Sequence, residues 1–128
     1  MINGIYRQRN RLADTITLEG VGLHSGRRVR TTLSPGSRGI AIVDGGIRTP
    51  IAGVRVDRTP RCTRLALASG RHVDMVEHLL AAIRIAGIDD IDIEVEGGEV
   101  PVLDGSARPW LEAFGRAGTA VGPDMADF

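Results

Sequence analysis

One stretch near the middle of the chain constrains the fold more than any other. Residues 73–86 (VDMVEHLLAAIRIA) are rich in strong helix formers, and Gly87 follows where a left-handed cap would end the last turn. The sequence therefore predicts a helix over residues 73–86. At 3.6 residues per turn its apolar side chains cover far more than one face, so a single sheet cannot bury them all. We expect a second element or a second molecule to cover the outer face.

The few polar residues of this stretch have two interpretations. A carboxylate beside a histidine in a mostly buried helix costs free energy unless both groups are satisfied or used. In the functional interpretation, His78 binds a metal and Glu77 acts as general base on a metal-bound water. In the structural interpretation, Asp74 caps the helix, Glu77 completes a capping box, and His78 is an ordinary interior histidine. This stretch offers one or two ligands and a zinc site needs about three, so both remain open.

Composition limits the class of protein. With 128 residues, the chain is long enough for one domain and too short for two. Aromatic residues make up only 3%, so the core has to be built from Val, Ile, Leu and Ala. The formal net charge of zero argues against a nucleic-acid partner, which would require a strong basic field.

The single cysteine and the hydropathy pattern indicate a compartment. Cys62 excludes an internal disulfide, and a lone thiol without a signal peptide fits a reducing cytoplasm. No apolar run reaches membrane-spanning length, so we expect a soluble, cytoplasmic protein. On a strand, Cys62 more often serves packing than chemistry.

Period-two alternation of polar and apolar residues predicts most of the strands. The pattern predicts strands at residues 14–19, 28–33, 40–43, 47–51, 62–68 and 91–96. The first two should pair antiparallel, the next two form a hairpin, and Pro50 places its strand at a sheet edge. Ser106 is positioned to cap a closing helix over residues 107–117. Residues 6–11 form a polar arm, residues 58–61 a loop, and residues 119–128 no obvious element. The predicted class is α+β, a two-layer sandwich of a mostly antiparallel sheet with two helices on one face.

A glycine-rich loop provides a second candidate site. Three glycines within residues 20–26 (GVGLHSG) indicate a turn or bulge where the backbone can closely approach another group. His24 in this loop is a candidate ligand-binding residue, the alternative being a solvated loop histidine. No helix follows, so the loop is not a dinucleotide fingerprint.

Five motifs together resemble one enzyme family. GVGLHSG (20–26), CT (62–63), VEHLLAA (76–82), GIDD (87–90) and PVLDGSA (101–107) occur in the order found in the zinc-dependent UDP-3-O-acyl-N-acetylglucosamine deacetylase of lipid A biosynthesis. The resemblance extends over about residues 9–118. It implies a fold of two similar domains, each a sheet with two helices, that pack helix layer against helix layer. The chain as a single domain resembles the first of them only, which accounts for the apolar outer face of the central helix.

The resemblance also implies roles for particular residues. His78 matches the zinc ligand of the first domain, and Glu77 matches the base that activates the zinc-bound water. His24 matches the histidine of the glycine-rich loop near the active site, and Cys62 a position near the metal. In the family, the other two zinc ligands and a further histidine come from the second domain, which has no counterpart here.

Two additional residues complete the candidate set. His72 and Asp104 are possible residues lining the site, and His24 or His72 are possible further ligands. Met75 departs from the family, which commonly has threonine at this position.

Three hypotheses follow from the incomplete ligand set. The first is a half-enzyme that holds zinc and hydrolyses an amide, for example in a nucleotide-sugar-like molecule. Its site is completed by a second-domain-like chain or by a second copy in a homodimer through the helix layer. The second is a non-catalytic homodimeric binding or scaffold protein that kept the fold. Because the chain begins with Met1, we expect these rather than the third, a domain cut from a longer enzyme.

Overall fold

The computed structural model describes residues 6–58 and 63–127. Within these ranges it contains ten β-strands and two α-helices. In chain order they are β1 (Tyr6–Leu12), β2 (Ile16–Val21), β3 (Arg28–Pro35), β4 (Ile40–Asp44), β5 (Ile47–Pro50), β6 (Arg55–Arg58), β7 (Thr63–Ala66), β8 (His72–Asp74), α1 (Glu77–Ala86), β9 (Ile91–Glu96), α2 (Arg108–Ala117) and β10 (Thr119–Asp127).

The strands form three sheets. The largest has five strands in the order β2-β3-β9-β4-β5, and only its β4–β9 pair is parallel. Strands β6, β7 and β8 form a second antiparallel sheet, and β1 pairs antiparallel with β10. The helices contact each other and share one hydrophobic core with the large sheet. The predicted α+β class, with two helices and mostly antiparallel strands, is confirmed.

The core follows from the alternation along the strands. In β3, Val29 and Leu33 are buried while Arg28 and Arg30 between and beside them are exposed. The same face of the sheet is continued by buried isoleucines of β9, and the helices cover it with Leu79, Ala82, Ile83, Trp110, Ala113 and Phe114. Polar residues on the opposite face keep the other side of β3 in water. Trp110 and Phe114 add two aromatic side chains to this largely aliphatic core, and Trp110 is 1% exposed.

The first and the last described segments form strands that the sequence did not predict. The segment described above as a polar arm is β1, and the tail without an obvious element is β10. Neither segment alternates clearly between polar and apolar residues, and β10 contains Gly122 and Pro123. The pairing of β1 with β10 therefore overrides the weak preference of both segments for strand. The predicted hairpin and the edge position of Pro50 are confirmed by β4 and β5.

The central helix is shorter than predicted. It begins at Glu77, because residues 72–74 pair with β7 as strand β8. The predicted capping box is wrong: the N-cap is Val76, and no side chain caps the helix. The C-terminal end is as expected, since Gly87 has a φ of 70° and its N–H donates to the carbonyls of the last turn.

The cap of the closing helix also differs slightly. The N-cap of α2 is Ala107, one residue after the predicted Ser106. The Ser106 hydroxyl nevertheless accepts the Arg108 N–H at 3.2 Å, so it satisfies one of the free amides at the helix start.

Part of the surface of α1 stays uncovered. Ile85 is 68% exposed, Ala81 is exposed and Leu80 is half-buried. A cavity of about 460 Å³ adjoins this side of the helix and is lined by Ile40, Ile51, Leu80, Arg84, Gly87, Ile88 and Asp89. The expected excess of apolar surface on this helix is therefore present, on its second half.

Neither helix found in the described ranges has the length and the apolar run that crossing a membrane requires.

A buried carboxylate ties β1 to the large sheet. Asp90, 2% exposed, accepts hydrogen bonds from Arg9 at 2.7 to 3.1 Å and from the Gly39 amide at 2.6 Å. Burial raises the pKa of Asp90, but the hydrogen bonds from Arg9 and Gly39 outweigh it, so the pKa lies below its ordinary value.

We expect Asp90→Asn to lower the free energy of unfolding at pH 7 by about 2–4 kcal/mol, because the Arg9 guanidinium loses its buried partner. Since the folded-state pKa is depressed, this stabilisation is present above the unfolded pKa of about 3.8 and is lost as the pH falls through the folded value. Urea unfolding at pH 7 and pH 3 measures the difference. Exposed Glu94→Gln is the control. If the difference in free energy of unfolding between the wild type and Asp90→Asn is as large at pH 3 as at pH 7, the stabilising role of the ionised Asp90 is contradicted.

The turn between β8 and α1 is strained. Met75 has a φ of 63°, a left-handed conformation that side-chain-bearing residues avoid, yet its side chain is buried. The backbone reverses here so that α1 can leave the edge of the small sheet.

Comparing Met75→Gly with Met75→Ala isolates this strain. Both variants lose the buried side chain, but only glycine relieves the left-handed backbone, so Met75→Gly should be the more stable by about 1 kcal/mol. Thermal and urea unfolding of the two proteins measure the difference. Equal stability, or a more stable alanine variant, would show that the left-handed turn stores no strain.

Candidate functional site

The junction between β8 and α1 presents the two residues of the predicted metal motif. Asp74 ends the strand, Met75 makes the left-handed turn, and Glu77 and His78 occupy the first turn of the helix. Free amides at a helix N-terminus favour a negative charge, so this position suits a carboxylate. His78 is half-buried.

Glu77 carries an unusual oxygen atom. Its Oε1 is buried and has no hydrogen-bond partner among the described residues. Side chains with buried polar atoms normally find a partner, because an unmade hydrogen bond costs about 1–3 kcal/mol. Since no capping bond accounts for Glu77 either, the structural interpretation of this residue loses its basis.

Asp74, proposed above as a cap, is instead the centre of a charged network. It is 6% exposed, and its two oxygens accept Arg64 Nε at 2.7 Å and Nη2 at 3.0 Å. Two predicted site residues approach the same carboxylate: His24 Nδ1 lies 3.8 Å and His72 Nε2 4.0 Å from Asp74 Oδ2. The structure thus brings His24 and His72 together around Asp74.

The glycine-rich loop makes the close approach that its composition predicts. Gly22 and Gly26 close the turn by backbone hydrogen bonds of 2.8 and 2.9 Å. A Cβ atom at Gly20 would lie 3.0 Å from Pro101 Cβ, so the loop rests directly on the segment after β9. Glu99 of that segment accepts the His24 and Ser25 amides, and the His24 side chain stays 27% exposed.

Asp104 lies in a tight turn. It follows Leu103, the second non-glycine residue with a positive φ (52°) in the described ranges. Its Oδ1 accepts the Ser106 hydroxyl at 2.7 Å and the Ser106 amide at 2.9 Å. The hydrogen bond from the Ser106 hydroxyl keeps the pKa of exposed Asp104 below its ordinary value and outweighs the slight desolvation that would raise it. The carboxylate is therefore held ionised by its own turn.

The described residues do not by themselves form a complete metal centre. Across 6–58 and 63–127, no three His, Cys, Asp or Glu side chains are grouped so that they could hold an ion. Cys62 lies outside the described residues, so its predicted position near the metal stays a prediction. The donor set and the orphaned Glu77 oxygen fit a zinc site in part: one imidazole and one carboxylate base on adjacent positions.

Two residues of this region were missed by sequence analysis. Arg64 and Glu99 hold Asp74 and the His24 loop, respectively. No periodicity marks either one: Glu99 acts on a loop 75 residues away, and Arg64 meets Asp74 only because residues 72–74 form strand β8 instead of a helix. The available signal was indirect: a loop of three glycines needs something to approach it closely.

Comparison with known proteins agrees with the motif order. The family model described as UDP-3-O-acyl N-acetylglycosamine deacetylase matches residues 9–126. A UDP-3-O-acyl-N-acetylglucosamine deacetylase of Thermosynechococcus vestitus is 47% identical over 113 residues, which cover 84% of this chain and 39% of the relative. The enzymes of that name from Myxococcus xanthus and Geotalea uraniireducens are 41% identical over 118 residues and 36% identical over 113.

Those alignments cover 88% and 84% of this chain and 37% of each relative. The chain thus spans about two fifths of the length of the curated relatives it matches. Since the family model covers nearly the whole chain, and covers both the glycine-rich loop and the junction with Glu77 and His78, the chain belongs to the UDP-3-O-acyl N-acetylglycosamine deacetylase family.

Proposed function

We propose that this chain contributes the base and one ligand of a zinc-dependent deacetylase site acting in lipid A biosynthesis. The substrate class, a UDP-linked N-acetylglucosamine with a 3-O-acyl chain, comes from the names of the relatives. The reaction is hydrolysis of the acetamide to acetate and a free amine.

One observation carries this proposal: the buried, unpartnered Oε1 of Glu77. A carboxylate oxygen held in the protein without a donor is costly, unless a donor arrives with the substrate or with water. As general base, Glu77 would accept a proton from the attacking water while the oxygen of that water bonds to the acetamide carbon. It would then deliver that proton to the departing nitrogen, which leaves the carboxylate as it began.

His78 would hold the zinc ion through a ring nitrogen, next to this base. When bound, zinc lowers the pKa of a water molecule towards neutrality and polarises the carbonyl oxygen. Because the described residues do not contain three grouped donors, the further ligands come from outside them. In the arrangement we propose, a second subunit supplies them.

His24 would orient the substrate. Its Nδ1 faces the Asp74 carboxylate, which Arg64 holds in place by two hydrogen bonds. The Arg64–Asp74 ion pair would therefore orient the imidazole ring. A ring held in this way can offer its other nitrogen to a polar group of the substrate.

We expect Glu77→Gln to reduce acetate release from UDP-3-O-acyl-N-acetylglucosamine by about 10²–10⁴-fold, since glutamine cannot accept the proton. Stability should change by less than about 1 kcal/mol, because the lost interaction of the charge with the helix N-terminus is offset by removal of a buried charge with an unpaired oxygen. Acetate release and urea unfolding measure the two effects. Exposed Glu94→Gln is the control. Full activity in Glu77→Gln, or a loss of stability that accounts for the loss of activity, would refute the role as base.

The second subunit of this proposal is a copy of the same chain that packs helix layer against helix layer. Ile85, 68% exposed, and the cavity beside Leu80 support it, because an apolar surface of this kind is normally covered. We expect a dimer in sedimentation velocity experiments, dissociated by Ile85→Arg but not by Val56→Arg, which changes an exposed residue of β6. A monomer mass at every concentration would rule out this assembly.

The incomplete donor set also favours one alternative, a non-catalytic homodimer that retained the fold for binding. A dimer that forms without zinc and releases no acetate would support that function instead.

A further inference from the structure

We infer that Glu99 is a positioning residue for His24, acting through the backbone of the glycine-rich loop. The inference deepens the proposed function, on which it rests in so far as His24 belongs to the site. Nothing in the motif order singles out Glu99 for this role. Its contacts in the structure do.

Both oxygens of the Glu99 carboxylate are used on the loop. Oε1 accepts the His24 N–H and Oε2 the Ser25 N–H, each at 3.1 Å, and the residue is only 4% exposed. Within the described ranges, no arginine pairs with this buried charge. Two consecutive backbone amides therefore compensate it, in the manner of an anion held by a nest of N–H groups.

Glu99 is itself attached to the junction that carries Glu77 and His78. The Asp74 N–H donates to the Gly98 carbonyl at 3.1 Å, and the Val100 N–H donates to the Asp74 carbonyl at 3.0 Å. These two bonds flank Glu99 and form an isolated bridge between it and Asp74. Glu99 thus connects the His24 loop, through its carboxylate, to the end of β8, through the backbone on either side of it, three residues before Glu77.

The loop fits Glu99 only because residue 22 is glycine. A Cβ atom at Gly22 would lie 2.6 Å from Glu99 Cδ and 2.7 Å from Ser25 Oγ. The backbone of the loop therefore lies directly against the carboxylate. In this arrangement His24 Nδ1 lies 3.8 Å from Asp74 Oδ2.

The charge of Glu99, and not only its shape, is required. Glutamine has nearly the same volume but a single acceptor oxygen, and its amide nitrogen would face a backbone N–H donor. A residue that served only as packing would tolerate glutamine. A residue that holds two amides would not.

The test compares Glu99→Gln with Glu96→Gln in the 128-residue protein by NMR; the Glu96 side chain is 69% exposed. We expect the His24 and Ser25 amides of Glu99→Gln to exchange about tenfold faster or more, and the His24 ring signals to shift. The amides of β9 should keep their protection, and Glu96→Gln should match the wild type. Wild-type exchange and ring signals in Glu99→Gln would overturn the inference.

A second variant keeps the test valid should Glu99→Gln fail to fold. Gly22→Ala retains the charge but pushes the loop from the carboxylate, so the same amides should lose protection and the same ring signals should shift. Gly115→Ala, where a Cβ meets nothing within 4 Å, is its control. Unchanged His24 and Ser25 amides in Gly22→Ala would also overturn the inference. These readouts need no zinc and no substrate, so failure of the proposed hydrolysis remains distinguishable from failure of the positioning role.

Discussion

The contacts of Asp74 determine how the parts of this molecule meet. Its side chain binds Arg64 of β7, its backbone binds the segment around Glu99, and its carboxylate faces His24. The left-handed Met75 follows immediately and directs the chain into α1. Two sheets, the glycine-rich loop and the central helix are therefore fixed relative to one buried charge. A change there would move both halves of the candidate site at once, because breaking a buried ion pair leaves an uncompensated charge.

The acidic side chains with buried oxygens differ in whether those oxygens have hydrogen-bond partners. Asp74 and Asp90 each bind an arginine through two nitrogen atoms, and Glu99 accepts two amides. Glu77 differs from them, with one buried oxygen that no described residue satisfies. Structural acids are paired because pairing offsets the cost of burial. An unpaired oxygen on the first turn of a helix, beside a histidine, is the observation on which we base the proposal of a general base next to a metal ligand.

Local sequence patterns predicted those elements whose structure depends on their own residues, such as a strand with one buried face or a helix that ends at a glycine. The alternation of β3 and β9 and the glycine after α1 are of this kind. The start of α1 could not be predicted, since residues 73 and 74 have helical neighbours but pair with Leu65 and Arg64. The pairing of β1 with β10 joins the two ends of the chain, and no local pattern carries it. The motifs singled out Glu77, His78 and His24 but neither Arg64 nor Glu99. Glu99 contacts the His24 loop from 75 residues away, and Arg64 meets Asp74 only through the β7–β8 pairing, which the predicted helix start had hidden.

The central claim is that the first turn of α1 carries one metal ligand and the base beside it. The most direct test is the zinc content of the purified protein, measured by elemental analysis for the wild type, Glu77→Gln and His78→Ala, with exposed Glu94→Gln as the control for folding. The account predicts a fixed zinc-to-protein ratio that Glu77→Gln and Glu94→Gln retain and that His78→Ala loses. A wild-type protein that takes up no zinc, or a His78→Ala protein that keeps it, would contradict the account.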